Sequence, residues 1–175
     1  MVGKKGQFYI LAALIILIIL TGVFSVQNYS RVEQTSKLES IKKELQIERG
    51  YVVDYLLTKT NSHEERNRIL TNFLINYSDY IGKDKSLYFI FGNRSNLSII
   101  AYQDSNRLIK IISDNIERES FSSDGISYKN INPNSGEIIF LLDNFKYNFS
   151  LSENTLNFYF LIFQKKEDNR YIVWG

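Results

Sequence analysis

The first pattern along the chain is a run without alternation. Residues 8–26 read FYILAALIILIILTGVFSV, and no charged residue lies between Lys5 and Arg31. About 20 apolar residues in a row match the roughly 30 Å hydrocarbon core of a bilayer when wound as a helix. A helix apolar on every face belongs in lipid or a deep core rather than at a soluble surface. The pattern then changes. Over 27–60 polar and charged residues dominate, and Val32, Leu38, Ile41, Leu45, Val52 and Leu56 recur at three- and four-residue steps. That spacing puts them on one helical face, and no proline interrupts it. The reading is one long helix, half apolar all round and half amphipathic, with Gly22 and Gly50 as its soft points. Ser62-His63-Glu64-Glu65 forms a capping box for a second helix. Its apolar stripe is Ile69, Leu70, Phe73, Leu74, Tyr77 and Ile81, and Gly82 closes it.

From Ser86 the period shortens. Apolar or alternating runs at 87–91, 97–102 and 108–112 predict strands, with Gly92-Asn93-Arg94-Ser95-Asn96 as the turn between the first two. The run from Leu108 to Glu119 also fits a helix through Ile109, Ile112 and Ile116. After a polar stretch at 120–135, four more runs follow at 137–142, 145–151, 156–164 and 171–174. Asp143-Asn144, Ser152-Glu153-Asn154 and Lys166-Glu167-Asp168-Asn169 separate them, and such short polar links favour antiparallel neighbours. The expected fold is α+β: a long N-terminal helix, a second short helix, then one mostly antiparallel sheet. The run LNFYFLIF at 156–163 reads as a strand buried on both faces, by the long helix and by neighbours. The domain reading is a basic leader at 1–6, a transmembrane helix at 7–26, an amphipathic extension at 27–60 and an extracytoplasmic head at 61–175.

Composition narrows the chemistry. The 175 residues carry a net charge of +2 and no cysteine, so neither nucleic acid nor a thiol site is indicated. His63 is the one histidine, and it sits where a solvated residue is expected. Zinc would need further nitrogen or sulfur ligands. Phosphate-binding glycine loops and nucleophile elbows are absent from the sequence, which is read as that of a non-enzyme without cofactor or metal. Asn-x-Ser/Thr acceptors occur at Asn28, Asn76, Asn93, Asn96 and Asn148. Asn93 and Asn96, in a predicted turn, and then Asn76 are the leading glycosylation candidates, and they tilt the reading toward a domain facing outside.

The junction before the apolar run is the most informative stretch. It reads Lys4-Lys5-Gly6-Gln7-Phe8. A secretory signal would be cut after its apolar region, at a small-x-small site, and 21–27 offers no good one. The junction instead resembles the class III signal peptide of archaeal type IV pilin-like proteins. That family is processed before the apolar helix by a prepilin peptidase on the cytoplasmic side. By this resemblance, Lys4 and Lys5 match the basic leader, Gly6 the residue before the cut and Gln7 the new N-terminus. Many members carry Glu at the fifth mature position, where this chain has Leu11. The resemblance implies a surface subunit with a cytoplasmic N-terminus and an exterior head. It would assemble with other pilin-like subunits after leaving the lipid bilayer. The alternative is an uncleaved single-pass anchor for an exterior binding domain.

Overall fold

The computed structural model describes residues 4–59, 62–113, 116–121, 125–166 and 169–175. The side chains at 4–8, 10, 27, 30, 31, 63 and 116–121 lie outside the described residues. Among the described residues, two helices, α1 (Lys4–Lys59) and α2 (His63–Ile81), precede nine strands. Two compact units divide the chain, residues 1–37 and 38–175.

The first unit is the N-terminal part of α1. Its described apolar side chains, among them Leu11, Ile16, Leu20 and Phe24, are exposed. Thr21 Oγ1 turns back onto the carbonyls of Leu17 (3.0 Å) and Ile18 (2.9 Å), so its hydroxyl is satisfied within the helix. Among the described residues, no helix is long and apolar enough to cross a membrane. The apolar segment is described without a break over 11–26, which at 1.5 Å per residue is about 24 Å of helix.

The second unit has three layers. Its central layer is a five-stranded sheet in the order β5 (Gly125–Ile131), β2 (Leu97–Gln103), β1 (Lys85–Gly92), β8 (Asn157–Lys166), β9 (Asn169–Trp174). A four-stranded sheet stacks on one face, in the order β4 (Ile116–Phe121), β3 (Ile109–Ser113), β6 (Glu137–Leu142), β7 (Phe145–Ser150). The strand pairs are antiparallel. The α+β class and its antiparallel pairing therefore hold, but two stacked sheets replace the one expected. The polar stretch at 120–135 contains the end of β4 and all of β5, and within 108–119 the described residues 109–113 and 116–119 are strand rather than helix. β5 escaped notice because Gly125–Ile131 alternates half-buried and exposed positions at a sheet edge. It has few apolar residues to announce it.

The pleat explains the layering. Successive strand residues point to opposite faces. On β1, Leu87, Phe89 and Phe91 join a core with α1 and α2, whereas Tyr88 and Ile90 join the core between the sheets. On β8, Phe158, Phe160 and Ile162 face the helices, and Leu161 and Phe163 face the second sheet. β8 is thus buried on both faces, as its continuous run predicts, but its second cover is a sheet. β1 is the middle strand, and all of its residues are buried.

The helices supply a complementary stripe. Leu38, Ile41, Leu45 and Leu56 of α1 are buried in this unit, with Val52 and Val53 packed beside them. Leu70, Leu74, Tyr77 and Ile81 of α2 fill the same layer. Each fully buried Leu is worth roughly 1.5–3 kcal/mol relative to exposure. Tyr77 donates to the Ile41 carbonyl at 3.2 Å, and Tyr80 to Glu44 at 3.1 Å, tying α2 to α1. Ser62 caps α2 by accepting from the Glu65 N–H at 3.1 Å, and Gly82 ends it with φ +100°.

Candidate functional site

Lys4, Lys5, Gly6 and Gln7 form the first turns of α1, but their side chains lie outside the described residues, as does that of His63. The asparagine acceptors divide by geometry. Asn76 is exposed on α2, yet the Tyr77 and Ser78 of its motif are buried. Asn96 precedes β2, and its Ser98 is buried with its hydroxyl engaged. Asn93 lies in the β1–β2 turn, beside an exposed Ser95. Its Oδ1 accepts from the backbone N–H groups of Ser95 and Asn96, both at 3.0 Å. Asn148 is exposed on the edge strand β7, as is Ser150. Asn28 is exposed on α1.

Two concavities sit at opposite ends of β1. The first, about 180 Å³, is lined by Arg66 and Asn67 of α2, by Gly92, Asn93, Ser95 and Asn96 of the β1–β2 turn, and by Ser98, Phe91 and Leu156. The turn is set by Gly92, whose φ is +140°. A Cβ there would fall 2.1 Å from the Asn96 carbonyl oxygen, so only glycine fits. Behind the cavity runs a closed amide–hydroxyl network. Asn67 Nδ2 donates to the Tyr128 hydroxyl, which donates to Asn130 Oδ1. Ser98 Oγ lies 3.1 Å from Asn67 Oδ1 and 2.8 Å from Asn130 Oδ1. The network joins α2, β2 and β5.

The second concavity, about 510 Å³, is open and lies where the β2–β3 connection and the β6–β7 turn meet Lys165 of β8 and Arg170 of β9. Its centre is Arg107. The guanidinium reaches Asp104 Oδ1 and Asp143 Oδ2, each at 3.3 Å, and covers the Phe163 ring at 4.3 Å. Ser86 Oγ donates to Asp104 at 2.5 Å. Asp143 and Asn144 have φ of +49° and +70°, the paired left-handed conformation of a tight hairpin turn. With both Nη ends engaged by carboxylates, Arg107 fastens the β2–β3 loop to the β6–β7 turn. Its chemistry is that of a clamp. Nearby, Lys85 Nζ donates to the Ile81 carbonyl at 2.7 Å and to Asp84 at 2.8 Å, capping the end of α2. Burial raises the Asp84 pKa, but the bond and charge of Lys85, with the Gln164 amide, outweigh this and hold it below the ordinary carboxylate range.

Among the described residues, no group of three or more His, Asp or Glu side chains is placed to hold a metal. Sequence reasoning missed Arg66, Asn67, Ser98, Tyr128 and Asn130, which only the packing of α2 on the β2–β5 edge brings together. It also missed Arg107, one cation among 21 Lys and Arg residues, with nothing in its local context to mark it. No family model, curated protein or solved structure matches this chain.

Proposed function

We propose that the chain is a type IV pilin-like surface subunit, major, minor or pseudopilin-type. It would assemble through residues 7–26 and present the second unit outward. One observation carries this reading: Lys4-Lys5-Gly6-Gln7 stands directly before the uncharged segment 8–26. Glycine at position 6 leaves the bond to Gln7 open to a protease at the membrane surface, and the lysine pair favours the cytoplasmic side. Cutting there would keep the apolar helix, which then exchanges lipid contacts for contacts with copies of itself. In this reading the membrane half and the amphipathic half form one long helix. The burial of Leu38, Ile41, Leu45 and Leu56 supports the amphipathic half as the packing face for the head.

The alternative, favoured by the absence of Glu at position 11, is an uncleaved anchor carrying an exterior binding domain. Mass spectrometry of the N-terminus decides between them, on membranes from cells with and without prepilin peptidase. The proposal expects a start at Gln7 only when the peptidase is present, and an intact leader for Gly6→Val. An intact leader in every strain would leave the anchored domain.

A further inference from the structure

The cavity at the N-terminal end of α2 has the size and chemistry of a site for one sugar ring. Its volume, about 180 Å³, lies below the roughly 300 Å³ at which pockets for drug-sized ligands begin. It therefore limits its occupant to a single small unit. The walls divide by chemistry. Asn67, Asn93, Asn96 and Ser98 offer amides and a hydroxyl, and Phe91 and Leu156 give an apolar side. Amides and hydroxyls both donate and accept, which matches a polyol whose own hydroxyls do the same. A phosphate or carboxylate would instead need convergent donors and positive charge. Arg66 is the one charged residue of the described lining, and it is already engaged within the fold. The network of Asn67, Ser98, Tyr128 and Asn130 fixes the polar wall before any ligand arrives. Such preorganisation lowers the ordering cost of binding.

We propose that this cavity binds a single pyranose unit of a glycan. Two sources supply that chemistry. Asn93 belongs to the acceptor motif Asn93-Arg94-Ser95 and lines the cavity. The turn holds its Oδ1 with two N–H groups, and among the described residues Nδ2, the atom that carries sugar in a glycosylated asparagine, is the unheld end. The first sugar of the chain's own glycan could therefore fold into the cavity. A glycan on another surface would enter the same space. The proposal stands whether or not the bond between Gly6 and Gln7 is cut.

The test uses the full chain in detergent micelles, made in a host that does not glycosylate, with amide NMR as the readout. The probes are glucose, galactose, mannose, N-acetylglucosamine and glucuronic acid, with inorganic phosphate as the anion control. At least one sugar should produce saturable shifts confined to residues 66–67, 91–98 and 156. Asn67→Ala and Leu156→Ala should each weaken that binding about tenfold, the loss of roughly 1.4 kcal/mol, with their own spectral changes limited to the cavity and the residues they touch, Ser98 and Tyr128 for Asn67 and the neighbouring helix-side core for Leu156. Asn148→Gln, outside the cavity, should bind as the parent does. Protein from its own cells then separates the sources. A hexose on Asn93 that blocks the free probes assigns the cavity to the chain's own glycan. An unmodified Asn93 with free binding assigns it to a foreign one. Absence of shifts with every sugar, or binding of phosphate in their place, overturns the proposal.

Discussion

At the scale of single residues, backbone geometry and buried hydroxyls set the clearest expectations. Gly92→Ala would force a Cβ to 2.1 Å from a backbone oxygen, at a φ of +140°. The turn must rearrange, at a cost of a few kcal/mol. The denaturation midpoint should fall, and amide shifts should concentrate at residues 91–98. Tyr77 and Tyr88 give a second expectation. Desolvation is the main cause in both, and for Tyr77 the Glu44 carboxylate adds to it, so both phenols are pushed well above the usual tyrosine range. A folded pKa above the unfolded value of about 10 means the contribution to stability is complete below pH 10. It is lost as the pH rises above that value. Denaturant midpoints should be flat between pH 7 and 9 and drop above pH 10. In an ultraviolet titration, Tyr77 and Tyr88 should ionise only as the protein unfolds. A smooth titration of every tyrosine near pH 10, with the fold intact, would contradict this.

At the scale of elements, the periodicities were legible where one face is buried and weak where none is. α2 was readable to its caps, because Ser62, Glu65 and Gly82 perform local chemistry that needs no tertiary partner. β1, β2 and β6 to β9 were readable because their apolar runs end at polar turns. β4 and β5 were not, since edge strands need fewer apolar residues and Gly125–Ile131 exposes every second one. The stacking of two sheets was hidden for a related reason. A strand buried on both faces looks the same whether helices or a second sheet cover it. The sugar-sized cavity was illegible, because Asn67, Ser98 and Asn130 meet only after α2 docks. The amphipathic stretch of α1 is the element most open to test. Leu45 is fully buried against the sheet and α2, whereas Ile47, two residues on, is exposed. Leu45→Ala should cost about 2–5 kcal/mol and Ile47→Ala less than about 0.5 kcal/mol, both measured by urea denaturation. Equal effects would place the buried face of α1 elsewhere.

At the scale of the molecule, the two units set different problems. In residues 1–37 the described apolar side chains along α1 are exposed. Residues 38–175 bury their apolar stripes completely enough to make two cores, one under the helices and one between the sheets. Under the proposed function, the exposed apolar side chains meet first lipid and then other subunits. The second unit needs neither to complete its core. Its polar fastenings lie at both ends of the sheet, with Arg107 at one and the amide–hydroxyl network at the other.

The bonds from Tyr77 to Ile41 and from Tyr80 to Glu44 bear on where the chain can be shortened. A truncation placed just before α2 would strip Leu38, Ile41, Leu45 and Leu56 from the central sheet. A fragment beginning at residue 61 should therefore expose the face carrying Phe89, Phe91 and Phe160, bind hydrophobic dyes and precipitate. A fragment beginning a few residues before Leu38 should remain monomeric and melt in one cooperative transition. The point at which a soluble piece can be cut lies inside α1, roughly two-fifths of the helix before its end.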